Sequence, residues 1–248
     1  MAQIATTYID HMGSDLSVVN AARVSFGKKS HWEFEALQEG LLEKDTKLIK
    51  YLAKHKHISP FGHVFASFHI KAPIFVARQL VKHKFLRWNE ISRRYVDDEP
   101  EFYVPDTWRG RSADKKQGSE GVVDLQKYID LLTSDMTKPN VQPKEEMIEE
   151  NDLPDWSLND SVYDTSDSVM HLYYSLLGAG VAPEQARMVL PQSTMTEWYW
   201  SGSLDALADM CRLRCKEDTQ YESRLVADQV STIMQDLYPV SWAALMEG

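Results

Sequence analysis

Between Arg78 and Arg94 the chain holds six permanent cations, Arg78, Lys82, Lys84, Arg87, Arg93 and Arg94, against one acid, Glu90. The full 248 residues carry 27 Lys and Arg against 37 Asp and Glu, a formal net charge of −10. Cations concentrated in one short stretch of an acidic chain suit a small-anion site, which needs a local field and not a global one. Asn89, Ser92 and Tyr95 are mixed into the run. Asn, Ser and backbone N–H groups hydrogen-bond phosphate oxygens or the edge of a base, and Arg adds a bidentate grip on phosphate. A merely solvated basic face needs no such mixture. Arg78 and Lys82 stand four apart, so a helix stacks them on one face, with Gln79 and His83 the next pair round. His83, Lys84, Asn89, Glu90, Ser92 and Arg94 then line the turn that follows.

Several elements must hold this stretch. Asp45 can cap a helix whose apolar face is Leu48, Ile49, Leu52 and Ala53. Pro60 and Gly62 break it. Val64, Ala66, Phe68 and Ile70 alternate with Phe65, Ser67 and His69, the pattern of a half-buried strand. Pro73 suits the first turn of a helix from Ile74 to about Phe85. Gly110 to Gly121 is polar and turn-rich, a surface loop. Between Lys144 and Asp167 nine acids face one base, and the segment reads as a solvated excursion. The rest reads as helical. Val169, Leu172, Tyr173 and Leu176 share a face that Gly178 can close, Pro183 to Leu190 is a short helix, and Ser203 caps a helix carrying Leu204, Leu207, Ala208 and Cys211. The stretch from Leu225 to Leu237 is an amphipathic closing helix. Trp198, Tyr199 and Trp200 read as an aromatic cluster between helices, in the core or at a subunit interface, and Met188 and Leu190 as core. No internal repeat is visible. The expected fold class is α+β (mixed α/β): one domain over 1–248, a central β-sheet flanked by helices, a helical C-terminal half, and an acidic, polar insertion at about 110–167.

Some functions are disfavoured at once. The net charge argues against a nucleic-acid-coating protein, although Phe85, Trp88 and Tyr95 interleave with the cations as in single-strand binders. Two cysteines four apart, Cys211 and Cys215, make no disulfide framework. The first ten residues lack a basic leader region, and the longest uncharged run, Ser168 to Pro183, falls short of the ~20 residues a membrane span needs. A cytoplasmic protein is expected. His55, His57, His63 and His69 lack a nearby Cys or acid to complete a first coordination sphere, so no metal is expected.

The order Lys82-His83-Lys84, seven residues, then Ser92, within KHKFLRWNEISRRY, resembles the signature of the flavin-dependent thymidylate synthases. That signature is Arg-His-Arg, seven residues, Ser, usually inside an NExSxRY string. His83, the spacing, Asn89-Glu90, Ser92, Arg94 and Tyr95 are kept. Lys82 and Lys84 replace Arg, which keeps the charge and loses the planar fork. Further blocks are similar: Gly13 to Phe26, His57-Ile-Ser-Pro-Phe-Gly-His63, Lys71 to Gln79, Ala186 to Pro191, Leu213-Arg214 and Gln220 to Arg224.

The resemblance implies reductive methylation of deoxyuridine monophosphate (dUMP) to dTMP. Methylenetetrahydrofolate gives the carbon, NADPH reduces bound FAD, and no cysteine nucleophile takes part. It implies FAD contacts at Ser59, Lys82, His83, Lys84, Asn89 and Glu90, with Ser203 and Asp209 as looser matches. It implies dUMP contacts at Gln79, Lys82, Glu90, Ile91, Ser92, Arg93, Arg94, Arg187 and Arg214. Arg94 and Arg187 suit the 5′-phosphate. Arg214 resembles the family's arginine assigned to the uracil, which implies a catalytic role as a cation against the base. It further implies a homotetramer with shared active sites. A flavoprotein reductase without methyl transfer is the competing enzyme reading; Arg187 and Arg214 argue for a second anionic ligand.

Overall fold

The computed structural model describes residues 2–35, 38–96, 98–112, 118–123 and 158–247. The elements in chain order are β1 (Ala5–Met12), α1 (Asp15–Arg23), β2 (Glu33–Glu35), β3 (Gln38–Gly40), α2 (Glu43–Lys54), β4 (Phe65–Pro73), α3 (Ile74–Leu80) and β5 (Arg87–Glu90). They continue with β6 (Arg109–Arg111), β7 (Ser119–Val122), α4 (Leu158–Gly178), α5 (Pro183–Ala186), β8 (Met195–Ser203), α6 (Leu204–Arg214), α7 (Tyr221–Leu237) and α8 (Pro239–Glu247). Short 3-10 turns cover Val24–Phe26, Ser59–His63 and Arg187–Val189. The chain falls into two compact units, a sheet unit of Gln3–Ser92 with Met195–Gly248, and an intervening unit of Arg93–Thr194 with Met1–Ala2.

The sheet unit is built on an antiparallel sheet of order β1-β4-β8-β5. The alternation expected around Phe68 is the alternation found. Ala66, Phe68, Ile70 and Ala72 are buried, and Phe65, Ser67, His69 and Lys71 turn to the other face. β8 corrects the helix-bracketed aromatic cluster. Met195 to Ser203 is a strand, in register with β4 through Phe68↔Trp200 and Ile70↔Trp198. Its sequence alternates, so Trp198 and Trp200 face the core while Glu197 and Tyr199 face away, and aromatic and β-branched residues suit the pleated surface. Each buried indole removes roughly 150–250 Å² from water, on the order of 4–6 kcal/mol before entropy is counted. Helices supply the other half of this core through Val18, Ile49, Leu52, Leu207, Met210, Val226, Val230, Met234 and Trp242.

Local details differ from expectation where tertiary contacts intervene. Asp45 does not cap α2; Leu42 holds the cap position. The Asp45 carboxylate is instead fully buried and accepts from Arg23 Nε of α1 at 3.0 Å. Asp15, also buried, accepts from the Val240 and Ser241 N–H groups at 2.9 and 2.8 Å and so caps α8. The helix after Pro73 stops at Leu80, well short of Phe85. α7 is not the closing helix, because α8 follows it.

In the intervening unit, residues expected in a polar loop form the β6–β7 hairpin, paired Arg109↔Val122 and Arg111↔Ser119. α4 begins at Leu158, inside the acidic stretch expected to be solvated and irregular. Its Thr165, Ser166, Ser168 and Ser175 hydroxyls each donate to a carbonyl four residues back, so these side chains are satisfied within the helix. The helix is closed by Gly180 at φ +85°, not by Gly178: Gly180 N–H reaches Leu177 O and Val181 N–H reaches Leu176 O. Met188 is 81% exposed and Leu190 half-buried, so neither is plain core. The remainder of the expected insertion, residues 113–117 and 124–157, lies outside the described residues.

Candidate functional site

The cationic stretch starts on α3 and runs through the turn 81–86 into β5. Because α3 ends at Leu80, Lys82, His83 and Lys84 sit in the turn, and the expected stacking of Lys82 on Arg78 along one helix face does not form. His83 N–H takes the Leu80 carbonyl at 3.1 Å and Phe85 adopts a left-handed φ of 66°. That conformation is uncommon for a bulky residue and is held by its surroundings. Gly202 of β8 lies directly beneath the turn. A Cβ there would lie 2.2 Å from Leu86 Cδ2 and 3.5 Å from Phe85 O, so the absence of a side chain is what lets the turn rest on the sheet. Arg78, Lys82, Lys84 and Arg87 are exposed and have no ion-pair partner among the described residues.

His83 joins this turn to the end of α6. Arg214 Nε donates to His83 Nε2 at 2.9 Å. Burial first, then the Arg214 cation, hold His83 below the ordinary histidine range, and Asp209 opposes them. Burial also lowers Arg214 from the usual arginine range. Asp209 itself is exposed and paired with Arg212.

Gln79, on α3, is fixed by α7. Its Oε1 accepts from Ser223 Oγ at 3.2 Å, and its Nε2 donates to Gln220 Oε1. Gln220 in turn donates to Glu222 Oε2 at 3.3 Å. Gln220 and Ser223 stand in the quoted block Gln220 to Arg224, and their partnership with Gln79 was not readable from it. Glu90 accepts from Thr196 Oγ1 at 2.8 Å and from Trp88 Nε1 at 3.1 Å. Trp88 stacks on Trp198 with centroids 4.3 Å apart. Asn89 is paired across from Tyr199, so strand alternation sends Asn89 and Glu90 to opposite faces of the sheet. Ile91 N–H continues the pairing onto Glu197 O at 2.9 Å, and Ser92 is half-buried. Ser59 is exposed on its 3-10 turn, and Ser203 precedes α6 without a side-chain capping bond.

Arg93, Arg94 and Arg187 belong to the intervening unit. Arg93 donates to the Asp98 carbonyl, Arg94 lies 4.8 Å over the Tyr95 ring, and Arg187 Nε donates to Glu184 O at 3.3 Å. Elsewhere, His69 pairs with Glu197 at 3.0 Å, and His55 and His57 pack on Tyr51. Cys211 is buried, which pushes its thiol up and keeps it protonated; its Sγ donates to Ala227 O at 3.5 Å. A protonated, buried thiol is a poor nucleophile.

The donor set in the sheet unit fits an anionic cofactor: exposed cations without an ion-pair partner among the described residues, an exposed amide at Asn89, and a guanidinium anchored through one nitrogen. A family model described as thymidylate synthase complementing protein matches residues 7–240. The chain is 35% identical over 239 residues to the flavin-dependent thymidylate synthase of Thermus thermophilus, covering 96% of this chain and 74% of that protein. It is 36% identical over 240 residues to the enzyme of that name from Kosmotoga olearia, covering 96% and 88%. Among solved structures, a UMP/dUMP methylase, PolB, from Streptomyces cacaoi bound with 5-Br dUMP superposes with a TM-score of 0.76 at 29% identity, over 100% of this chain and 96% of that one. On a family match across nearly its whole length and relatives above 30% identity, the chain belongs to the flavin-dependent thymidylate synthase family.

Proposed function

We propose that the protein methylates dUMP at C5 to give dTMP. Methylenetetrahydrofolate supplies the carbon, NADPH supplies two electrons, and a proton completes the balance; tetrahydrofolate and NADP⁺ leave. FAD, when bound, carries the hydride between NADPH and the new methyl group. The observation that carries this reading is the cationic turn joined to Arg214 through His83: its exposed cations have no ion-pair partner among the described residues, which suits phosphates, and the guanidinium is held at Nε.

Lys82, His83, Lys84 and Asn89 serve FAD on this reading, with Ser59, Glu90, Ser203 and Asp209. Gln79, Lys82, Glu90, Ile91, Ser92 and Arg93 serve dUMP on this reading, Arg94 and Arg187 suit its 5′-phosphate, and Arg214 suits the base. Arg214 acts electrostatically: a fixed cation stabilises negative charge developing on the ring more strongly than water does, because it needs no reorientation. Gln79 enters with its amide orientation set by Ser223 and Gln220. The active assembly is a homotetramer with shared sites.

The test is an absorption spectrum of the purified protein after incubation with FAD and desalting, then with NADPH and dUMP added without oxygen. Retained flavin bands that NADPH bleaches and dUMP perturbs are expected, followed by dTMP formation once the folate is added. No retained flavin and no dUMP binding would sink the reading and turn attention to single-stranded nucleic acid as the ligand of the basic turn.

A further inference from the structure

Arg214 is the last residue of α6, and His83 lies in the turn after α3. Their hydrogen bond, Nε to Nε2 at 2.9 Å, spans 131 residues of sequence. A guanidinium cannot accept, so His83 Nε2 must, and an imidazole accepts only when neutral with its proton on Nδ1. Fixing Nε fixes the plane of the guanidinium. The terminal nitrogens of Arg214 have no hydrogen-bond partner among the described residues. One donor is therefore spent inward on the histidine, and the terminal donors remain for a ligand.

The geometry points to His83 as the positioning residue of Arg214, a neutral imidazole that sets the guanidinium plane so that its terminal nitrogens meet a pyrimidine nucleotide. This rests on the reading of Arg214 as a nucleotide contact, and it gives His83 a task separate from touching flavin. The charged groups around the imidazole are Arg214 and Asp209 on α6, with Lys82 and Lys84 on its own turn. Asp209 is engaged by Arg212. A protonated His83 would lose its acceptor lone pair and face the Arg214 cation directly. The contact is therefore intact above the lowered His83 pKa and is lost as pH falls through it, and nucleotide affinity falls with it.

The experiment is dUMP affinity by titration calorimetry on the FAD-saturated full-length protein, from about pH 5 to about pH 8, for wild type, His83→Gln and His83→Ala. Flavin loading of each is checked by absorbance. Gln places an acceptor oxygen near the Nε2 position and does not titrate. At the alkaline end His83→Gln is expected within about threefold of wild type, and His83→Ala at least about tenfold weaker, the loss of one charged hydrogen bond. On acidification wild type should lose affinity more steeply than His83→Gln, which retains only the titration of the ligand's own phosphate near pKa ~6. Wild-type affinity in His83→Ala, equal losses in Gln and Ala, or one pH profile shared by wild type and His83→Gln would each overturn the inference. A wild type that binds no dUMP overturns it as well. A wild type that binds dUMP with this pattern yet forms no dTMP supports the positioning role and removes the proposed reaction.

Discussion

A guanidinium beside a pyrimidine does two things that a lysine ammonium cannot. It offers parallel donors to adjacent ring atoms, and its plane can be locked from behind through Nε. On the proposed reading Arg214 serves both, since His83 holds Nε and the terminal nitrogens have no hydrogen-bond partner among the described residues. Arg214→Ala is expected to spare flavin binding and to lower dTMP formation by about a hundredfold or more, the usual cost of removing a preorganised electrostatic donor. Flavin absorbance and a turnover assay on the same preparation separate the two effects. A variant that remains fully active would take Arg214 out of the mechanism. Cys211 offers no competing chemistry, because its thiol is buried and held protonated.

Among the elements, the turn between α3 and β5 lies against a glycine on another strand. Leu86 occupies the space over Gly202 that any side chain would fill. Gly202→Ala should force Leu86 out of its position, costing about 1–3 kcal/mol of stability by overpacking. The same shift moves Lys82, His83 and Lys84, so FAD affinity should fall as well. A denaturant midpoint and a flavin titration measure the two losses. Unchanged FAD affinity in a destabilised variant would show that the turn holds its shape without this contact. Asp45 illustrates the same rule in the helical layer: its position suggests a cap, and its burial makes it an ion-pair partner of Arg23 instead.

At the scale of the whole molecule, the sheet unit keeps its apolar side chains on one face and a mixed surface on the other. Met12, Phe65 and Tyr199 stand on that second face and are 56%, 42% and 52% exposed. Met12 and Phe65 stand across from each other there, an exposed apolar pair that suits the proposed contact between copies. The proposed assembly supplies the occupant, further copies of the chain. Light scattering in solution is expected to give a mass four times that of the 28.5 kDa chain. A monomeric mass with full activity would remove the shared-site proposal and leave the single chain as the catalyst.

Local patterns were legible wherever one element's own residues set its fate. The alternation of β4, the apolar face of α2 and the helical start after Pro73 depend on neighbours within a few residues, and they stand as read. β1 and β5 were not legible, because strands with many exposed side chains are held by pairing to distant partners and not by their own pattern. β8 carried a readable alternation hidden under a dense aromatic run. The candidate site residues were chosen from the sequence alone, since charge, spacing and family resemblance are all properties of the linear chain. Their partners were not. His83 with Arg214, Gln79 with Ser223, and Leu86 over Gly202 join residues more than a hundred positions apart, and such contacts exist only once the helices have packed against the sheet. By itself the sequence determined which chemistry the chain could hold. The tertiary structure decided which nitrogen of Arg214 is spent on His83, because that is settled by distance and burial.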